Sequence, residues 1–260
     1  MIYDDFAEAG WPSPRWARFR VPDHDLWDPA ATVHCPGAPT NMLTIELRRF
    51  TQSHPNHVKA LMLSTEAFDI ERSGGFRVRV EMAARMHGTE TNPFGLDPGD
   101  PRLAAAALVT IDPETGMVFD FFVSNDRIQP LYERLPMARA ALGPYPAYSI
   151  LAAPVPSRPD EWHRYEIRYD RASDRVSWLI DGRQVDERLL VGAPVGRTAP
   201  IVKLRRLRFG GGLFTLLDPL CDDQERADDH PRIPGFVASN WDDRFGQGGV
   251  VSFRNFEIEL

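Results

Sequence analysis

Asp120 is a single carboxyl set among apolar residues, in Met117-Val118-Phe119-Asp120-Phe121-Phe122-Val123. Facing a partly apolar groove, such a group loses hydration, its pKa rises, and it becomes suited to moving protons near neutrality. The commoner fate is a buried aspartate satisfied by backbone donors or an arginine, since structural ion pairs also perturb carboxyls. Arg77, Arg79 and Glu81 fall on one face of their segment. They can hold a polar or anionic ligand by forked hydrogen bonds, or form the solvated outer face of a sandwich. His87 follows, just before Gly88; a histidine at a loop edge titrates near neutrality and qualifies as a general base, or lies idle on the surface. Tyr132, Glu133 and Arg134 close the loop after the Asp120 segment, as a cap over a groove or as an ordinary salt-bridged turn. Trp162 and Trp178 offer flat faces to a sugar or polyene, although aromatics at such positions usually fill a core. His163, beside Trp162, reads as structural.

Other signals are weaker. Asp222, Asp223, Asp228 and Asp229, with His230 beside them, cluster in the stretch 218–235. They lack the alternation and the turn glycine of a calcium loop. Gly210-Gly211-Gly212 has no following Lys-Ser/Thr for phosphate; three glycines here let two backbones approach, or form a bulge. Cys35 and Cys221 are the only cysteines and carry no zinc spacing; they can pair as a disulfide, although two lone cysteines are more often buried free thiols.

The chain has 260 residues, 43% of them apolar, and a formal net charge of −7. That excludes a surface built to track phosphates, so no nucleic-acid partner is expected. No run approaches the roughly 18–20 apolar residues of a membrane helix. The acidic start, Met1-Ile2-Tyr3-Asp4-Asp5-Phe6, is unlike a secretory leader. The expectation is a soluble, cytoplasmic protein with no membrane partner. Lys59 and Lys203 are the only lysines, a bias that goes with the many alanines and prolines rather than with function.

These residues must be positioned by strands. Proline lacks a ladder donor, so the proline-free windows locate them. Leu43 to Leu47 and Phe76 to Glu81 alternate; Val58 to Leu63, Ala107 to Ile111, Met117 to Val123 and Leu204 to Phe209 read as further strands. Trp162 to Tyr169 and Val176 to Ile180 form a hairpin, followed by a tight Asp181-Gly182 turn. Pro136 to Leu142, ending at Gly143, predicts one short helix. Many strands, few helices and no linker predict a single all-β domain over residues 1–260, a sandwich or a barrel.

The hairpin Glu161-Trp162-His163-Arg164-Tyr165-Glu166-Ile167-Arg168-Tyr169, then Val176-Ser177-Trp178-Leu179-Ile180-Asp181-Gly182, resembles one found in concanavalin A-like proteins. Within that group the likeness is to glycoside hydrolase family sixteen and laminin-G-type sandwiches. Tyr3-Asp4-Asp5-Phe6, Gly74-Gly75-Phe76-Arg77-Val78-Arg79-Val80 and Gly248-Gly249-Val250-Val251-Ser252-Phe253-Arg254-Asn255-Phe256 are similar to that fold's opening, early and closing strands. The resemblance implies a jelly roll of two curved antiparallel sheets with a ligand groove on the concave face. The hydrolases carry two glutamates and an aspartate on one concave strand, with the glutamates roughly 5–5.5 Å apart for retention. Aligning on Asp120 puts Val118 and Phe122 (or Val123) where the glutamates would stand. Neither can attack an anomeric carbon or carry a proton, so retaining hydrolysis at this site is not expected. The arginine, Q-x-H and Y-x-K-x-G of alginate-lyase jelly rolls are absent in that order.

The expectation is therefore a cofactor-free enzyme acting on a small, partly apolar metabolite, an isomerase, cyclase or lyase of secondary metabolism. Asp120 would be the acid/base, with Arg79 or His87 as its electrostatic partner. Arg77, Glu81, Val118, Phe122, Tyr132 and Trp178 would line the groove around the small-molecule ligand. No catalytic metal is expected, and a structural calcium is the one cation the resemblance allows. The alternative is a lectin-like glycan-binding module, or a glycosidase that has lost catalysis; it would need exposed aromatic platforms beside Asn, Asp and Arg donors, with an exposed tryptophan on the concave face.

Overall fold

The computed structural model describes the chain except residues 12, 22–23, 26, 52–58, 146, 193–201 and 216–243. Among the described residues two antiparallel sheets dominate. In the first, the spatial order is Arg183–Leu189, Arg175–Ile180, His163–Asp170, Gly75–His87, Gly248–Glu259, Leu43–Leu47 and Thr32–His34, with Ile2–Asp4 also pairing on Gly248–Glu259. In the second it is Tyr148–Leu151, Arg127–Arg134, Met117–Val123, Ala105–Asp112, Arg206–Phe214, Lys59–Ser64 and Trp16–Arg18. Strands from both ends of the chain thus meet in the first sheet. This is the expected jelly-roll sandwich. The expected short helix is a 3-10 turn, Pro136–Ala138, running into Arg139–Leu142, and Gly143 follows at φ 77°.

Alternation decides which side of each strand faces the other sheet. Phe76, Val78, Val80 and Met82 of the first sheet meet Met117, Phe119, Phe121 and Val123 of the second in one buried cluster. Trp178 is wholly buried there, edge-on to Phe119 at 6.0 Å, and its Nε1 donates to the Asp120 carbonyl oxygen at 3.0 Å. A second apolar layer covers the opposite, outward face of the second sheet and includes Leu61, Leu63, Val109, Val118, Phe122 and Leu131. Buried on both faces, Ala105–Asp112 and Met117–Val123 expose no residue, which is why they read as near-continuous apolar runs.

Two local features were resolved by neighbours. Gly210 and Gly212 lie against the Lys59–Ser64 strand, where a Cβ would overlap the Met62 and Ala60 carbonyl oxygens. A Cβ on Gly211 would stand 2.7 Å from the Phe253 ring. Close approach is the reason for the triplet. Gly212→Ala is expected to cost about 2–3 kcal/mol through overpacking against backbone that cannot move aside, seen as a Tm drop of about 5–10 °C; an unchanged melting curve would contradict this.

The second feature is a strand the proline map hides. Arg127–Arg134 is ordered ladder between Met117–Val123 and its outer neighbours, although Pro130 sits inside it. Its outer partner changes there from Val155–Pro156 to Tyr148–Leu151. Pro130 accepts from the Ala152 N–H with its carbonyl oxygen, and its missing donor falls where neither partner strand continues. Tyr132, Glu133 and Arg134 are therefore strand residues, not a loop cap.

Candidate functional site

The residues assigned to one groove are distributed over three places. Asp120, Val118 and Phe122 share the outward face of the second sheet. Tyr132 and Trp178 point the other way, into the core between the sheets. Arg77, Arg79 and Glu81 alternate with buried Phe76, Val78 and Val80, so they lie on the outward face of the first sheet. His87 ends that same strand and donates from Nε2 to the Arg48 carbonyl oxygen at 2.6 Å. A sandwich of sheets about 10 Å apart separates Asp120 from Arg79 and His87, and the three cannot act on one substrate.

Around Asp120 the structure assembles partners of its own. Glu133 stands on the neighbouring strand directly opposite Val118, so it is a diagonal neighbour of Asp120 on the same face. Ser149, opposite Glu133 on the next strand, donates its hydroxyl to Glu133 Oε1. Asp120 Oδ1 accepts a long bond, 3.3 Å, from the Thr110 N–H. Burial, and then the Glu133 charge, push the Asp120 carboxyl well above its ordinary range, against the smaller pull of the Thr110 N–H and Lys59. A protonated acid beside a second carboxyl can exchange protons. Exposure decides whether it meets a ligand: Asp120 is 5% exposed and Glu133 8%, so no sugar ring reaches them.

That environment has a thermodynamic signature. Asp120 ionises at higher pH folded than unfolded, so between the two values the folded chain holds the extra proton, and stability falls as pH rises through the folded value. Asp120→Asn keeps an acceptor for Thr110 and cannot titrate. Its thermal unfolding profile from pH 4 to 9 is expected to be flatter, with Tm about 2–4 °C above wild type on the alkaline side for each kcal/mol regained. A difference from wild type that is constant with pH would refute the assignment.

Among the described residues, the outward face of the first sheet is charged and open to a ligand. Reading across it, one row is Arg254, Glu81 and Arg164, and the next is Glu257, Arg79 and Glu166. Arg79 bonds Glu166 at 2.9 Å, Glu257 at 2.8 Å and Glu259 at 2.9 Å; Arg77 bonds Glu259 at 2.6 Å, and Arg168 also pairs with Glu166. A pocket of about 510 Å³ is lined by Arg79, Arg164, Glu166, Asp181 and Gly182. Trp162, two residues before Arg164 on this face, is 38% exposed. The Arg254 guanidinium stacks on its ring at 4.3 Å, with Arg254 Nε buried.

The tight turn braces this end. Asp181 and Gly182 take φ of 51° and 80°. The Asp181 carboxylate accepts the Arg164 N–H at 2.8 Å and meets His163 Nδ1 at 2.7 Å. Burial opposes its charge, yet these two partners hold its pKa below the ordinary value. His163 is thus a structural strut, as expected.

Cys35 is free. Cys221 and the cluster of Asp222, Asp223, Asp228, Asp229 and His230 lie outside the described residues. Among the described residues no group of three His, Cys, Asp or Glu is placed to hold a metal, and no helix is long and apolar enough to cross a membrane.

The chain belongs to a family of unknown function, DUF6081, which it matches over residues 13–260. It is 36% identical over 112 residues to the uncharacterized protein L829 of Acanthamoeba polyphaga mimivirus, a match that takes in 39% of this chain and 26% of that protein. Its fold is similar to one of the endo-acting O-glycanases that prominent members of the human gut microbiota express to initiate mucin breakdown (12% identity, 98% of this chain and 96% of that one, TM-score 0.53). It is also similar to a Crh5 transglycosylase in complex with NAG (17% identity, 97% and 82%, TM-score 0.50).

The expectation of a small-metabolite isomerase, cyclase or lyase is corrected accordingly. The folds it resembles belong to carbohydrate-processing proteins, its supposed apolar groove is packed shut, and Asp120, Arg79 and His87 do not meet. Glu133 is the residue the sequence reading undervalued. Its signal was its parity with Gln129 and Leu131, on the face opposite Ile128 and Tyr132, in a strand that tolerates a proline.

Proposed function

We propose that this DUF6081 member is a lectin-like module that binds glycan on the outward face of its first sheet. Trp162 carries the reading: a tryptophan 38% exposed, seated on Arg254, beside a pocket lined by Arg79, Arg164, Glu166 and Asp181. A pyranose offers an apolar C–H face for the indole and hydroxyls for charged donors and acceptors, and such a surface supplies both. The Arg–Glu lattice holds the polar groups in place, so a ligand orders few side chains on arrival. The jelly-roll likeness bears on ligand class by analogy alone; the site geometry supplies the physical argument.

The test is a glycan array probed with the purified protein, followed by calorimetry on the best hit. Saturable binding to a defined saccharide is the expected result. Silence across a broad array, or a hit whose affinity is untouched by changes at Trp162, would overturn the proposal.

A further inference from the structure

One acid on the open face of the first sheet is not spent on its neighbours. Glu166 takes Arg79 and Arg168, Glu257 takes Arg79 and Arg164, and Glu259 takes Arg77 and Arg79. Asp181 holds His163 and the Arg164 N–H. Glu81, half-buried in the middle of the same face, makes no ion pair or side-chain hydrogen bond among the described residues. Yet an arginine stands directly opposite it on each neighbouring strand, Arg164 on one side and Arg254 on the other. Opposite charges so placed ordinarily pair. Arg164 reaches along the sheet to Glu257 at 3.4 Å instead. Arg254 is diverted by the backbone: its register with Gly75–His87 slips between Arg254 and Glu257, and Asn255 takes φ 52°. A bulge of this kind re-aims the side chain beside it, and the Arg254 guanidinium lies 4.3 Å over the Trp162 ring. Extending the ladder by one residue from His163 and Met82 sets Trp162 beside Ala83, two residues from Glu81 on the same face.

Two carboxylate oxygens not committed to the protein, next to an exposed indole, match one ring of a sugar. Hydroxyls on adjacent ring carbons donate one to each oxygen, and the C–H face of the same ring covers the indole. Hydrogen bonds to an ionised acceptor are shorter and stronger than neutral ones. The flanking charges restrict the ring further. Glu81 would attract a sugar ammonium, but Arg164 and Arg254 on either side would repel it, two cations against one anion. A sugar carboxylate would face Glu81 itself, and like charges so juxtaposed are costly. We propose that Glu81 is the hydroxyl acceptor of the glycan site, and that its ligand is an uncharged pyranose with free hydroxyls on adjacent carbons. Glu81 in this role presupposes the glycan reading above and names the ligand class of that site.

The experiment runs one array of neutral, uronic-acid and amino-sugar oligosaccharides against wild type, Glu81→Gln and Trp162→Ala. Calorimetry follows on the tightest-binding array saccharide and on its monodeoxy derivatives. Hits are expected among the neutral saccharides. Glu81→Gln, with a melting curve close to that of wild type, is expected to weaken binding about tenfold or more. Removing either of two adjacent hydroxyls should weaken wild type by a similar factor and weaken Glu81→Gln by no more than about twofold, since the bond is already gone. Glu81→Asp, which keeps the charge and shortens its reach, should give an intermediate loss and remains informative if Glu81→Gln does not fold. Unchanged affinity in both Glu81 variants, or deoxy losses as large in Glu81→Gln as in wild type, would overturn the acceptor. Charged saccharides bound above neutral ones would overturn the ligand class. Either result leaves the lectin reading standing where Trp162→Ala still abolishes binding; silence across the array sinks that reading and the acceptor with it.

Discussion

Trp178→Ala is expected to lower stability by about 3–5 kcal/mol, the usual cost of truncating a large aromatic in a packed core. In a protein of this size that is a Tm loss of roughly 10 °C or more. The side chain is wholly buried between the sheets, packs edge-on to Phe119 and donates to the Asp120 carbonyl oxygen. Truncation therefore opens a cavity and leaves a cross-sheet acceptor unmet. Thermal and chemical denaturation would measure it. A loss below about 1 kcal/mol would mean that the hairpin is not pinned to the second sheet at this point.

Trp162→Ala is expected to do the reverse. Its ring is exposed, so stability should change by no more than about 0.5 kcal/mol, less whatever the stacked Arg254 gives up. Glycan affinity should fall about 30-fold or more, the mark of an aromatic anchor worth about 2 kcal/mol at the centre of a binding surface. Calorimetry on the array hit, beside a melting curve of the same sample, separates the two effects. Loss of binding accompanied by a large drop in Tm would mean that Trp162 supports the fold rather than the ligand. Together the two tryptophans divide the hairpin into a face that holds the sandwich and a face that is free to recognise.

That division was legible in the local pattern. Trp162 falls in step with Arg164, Glu166 and Arg168, whereas Trp178 falls in step with Val176 and Ile180. Side chains in a strand alternate, and the structure buries the second set and exposes Trp162, Arg164 and Arg168 of the first, with Glu166 buried among its arginine partners. The same parity placed Arg77, Arg79 and Glu81 together and set Val118, Asp120 and Phe122 on one side. Parity does not say whether an outward face meets water. The outward face of the first sheet is charged and open; that of the second is covered, and an apolar strand reads alike whether it floors a groove or sits under another layer. The small-metabolite reading went wrong at that point.

Strand period, facing and hairpin turns were written in the chain, because each depends on residues a few positions apart. The partnership of Asp120 with Glu133 and Ser149, the glycine triplet fitted against Met62 and Ala60 and the strand that tolerates Pro130 were settled by tertiary structure. Each of those depends on which strand lies alongside, and pairing between distant segments is set by how the two sheets close over their shared core, a quantity that no local window of sequence contains.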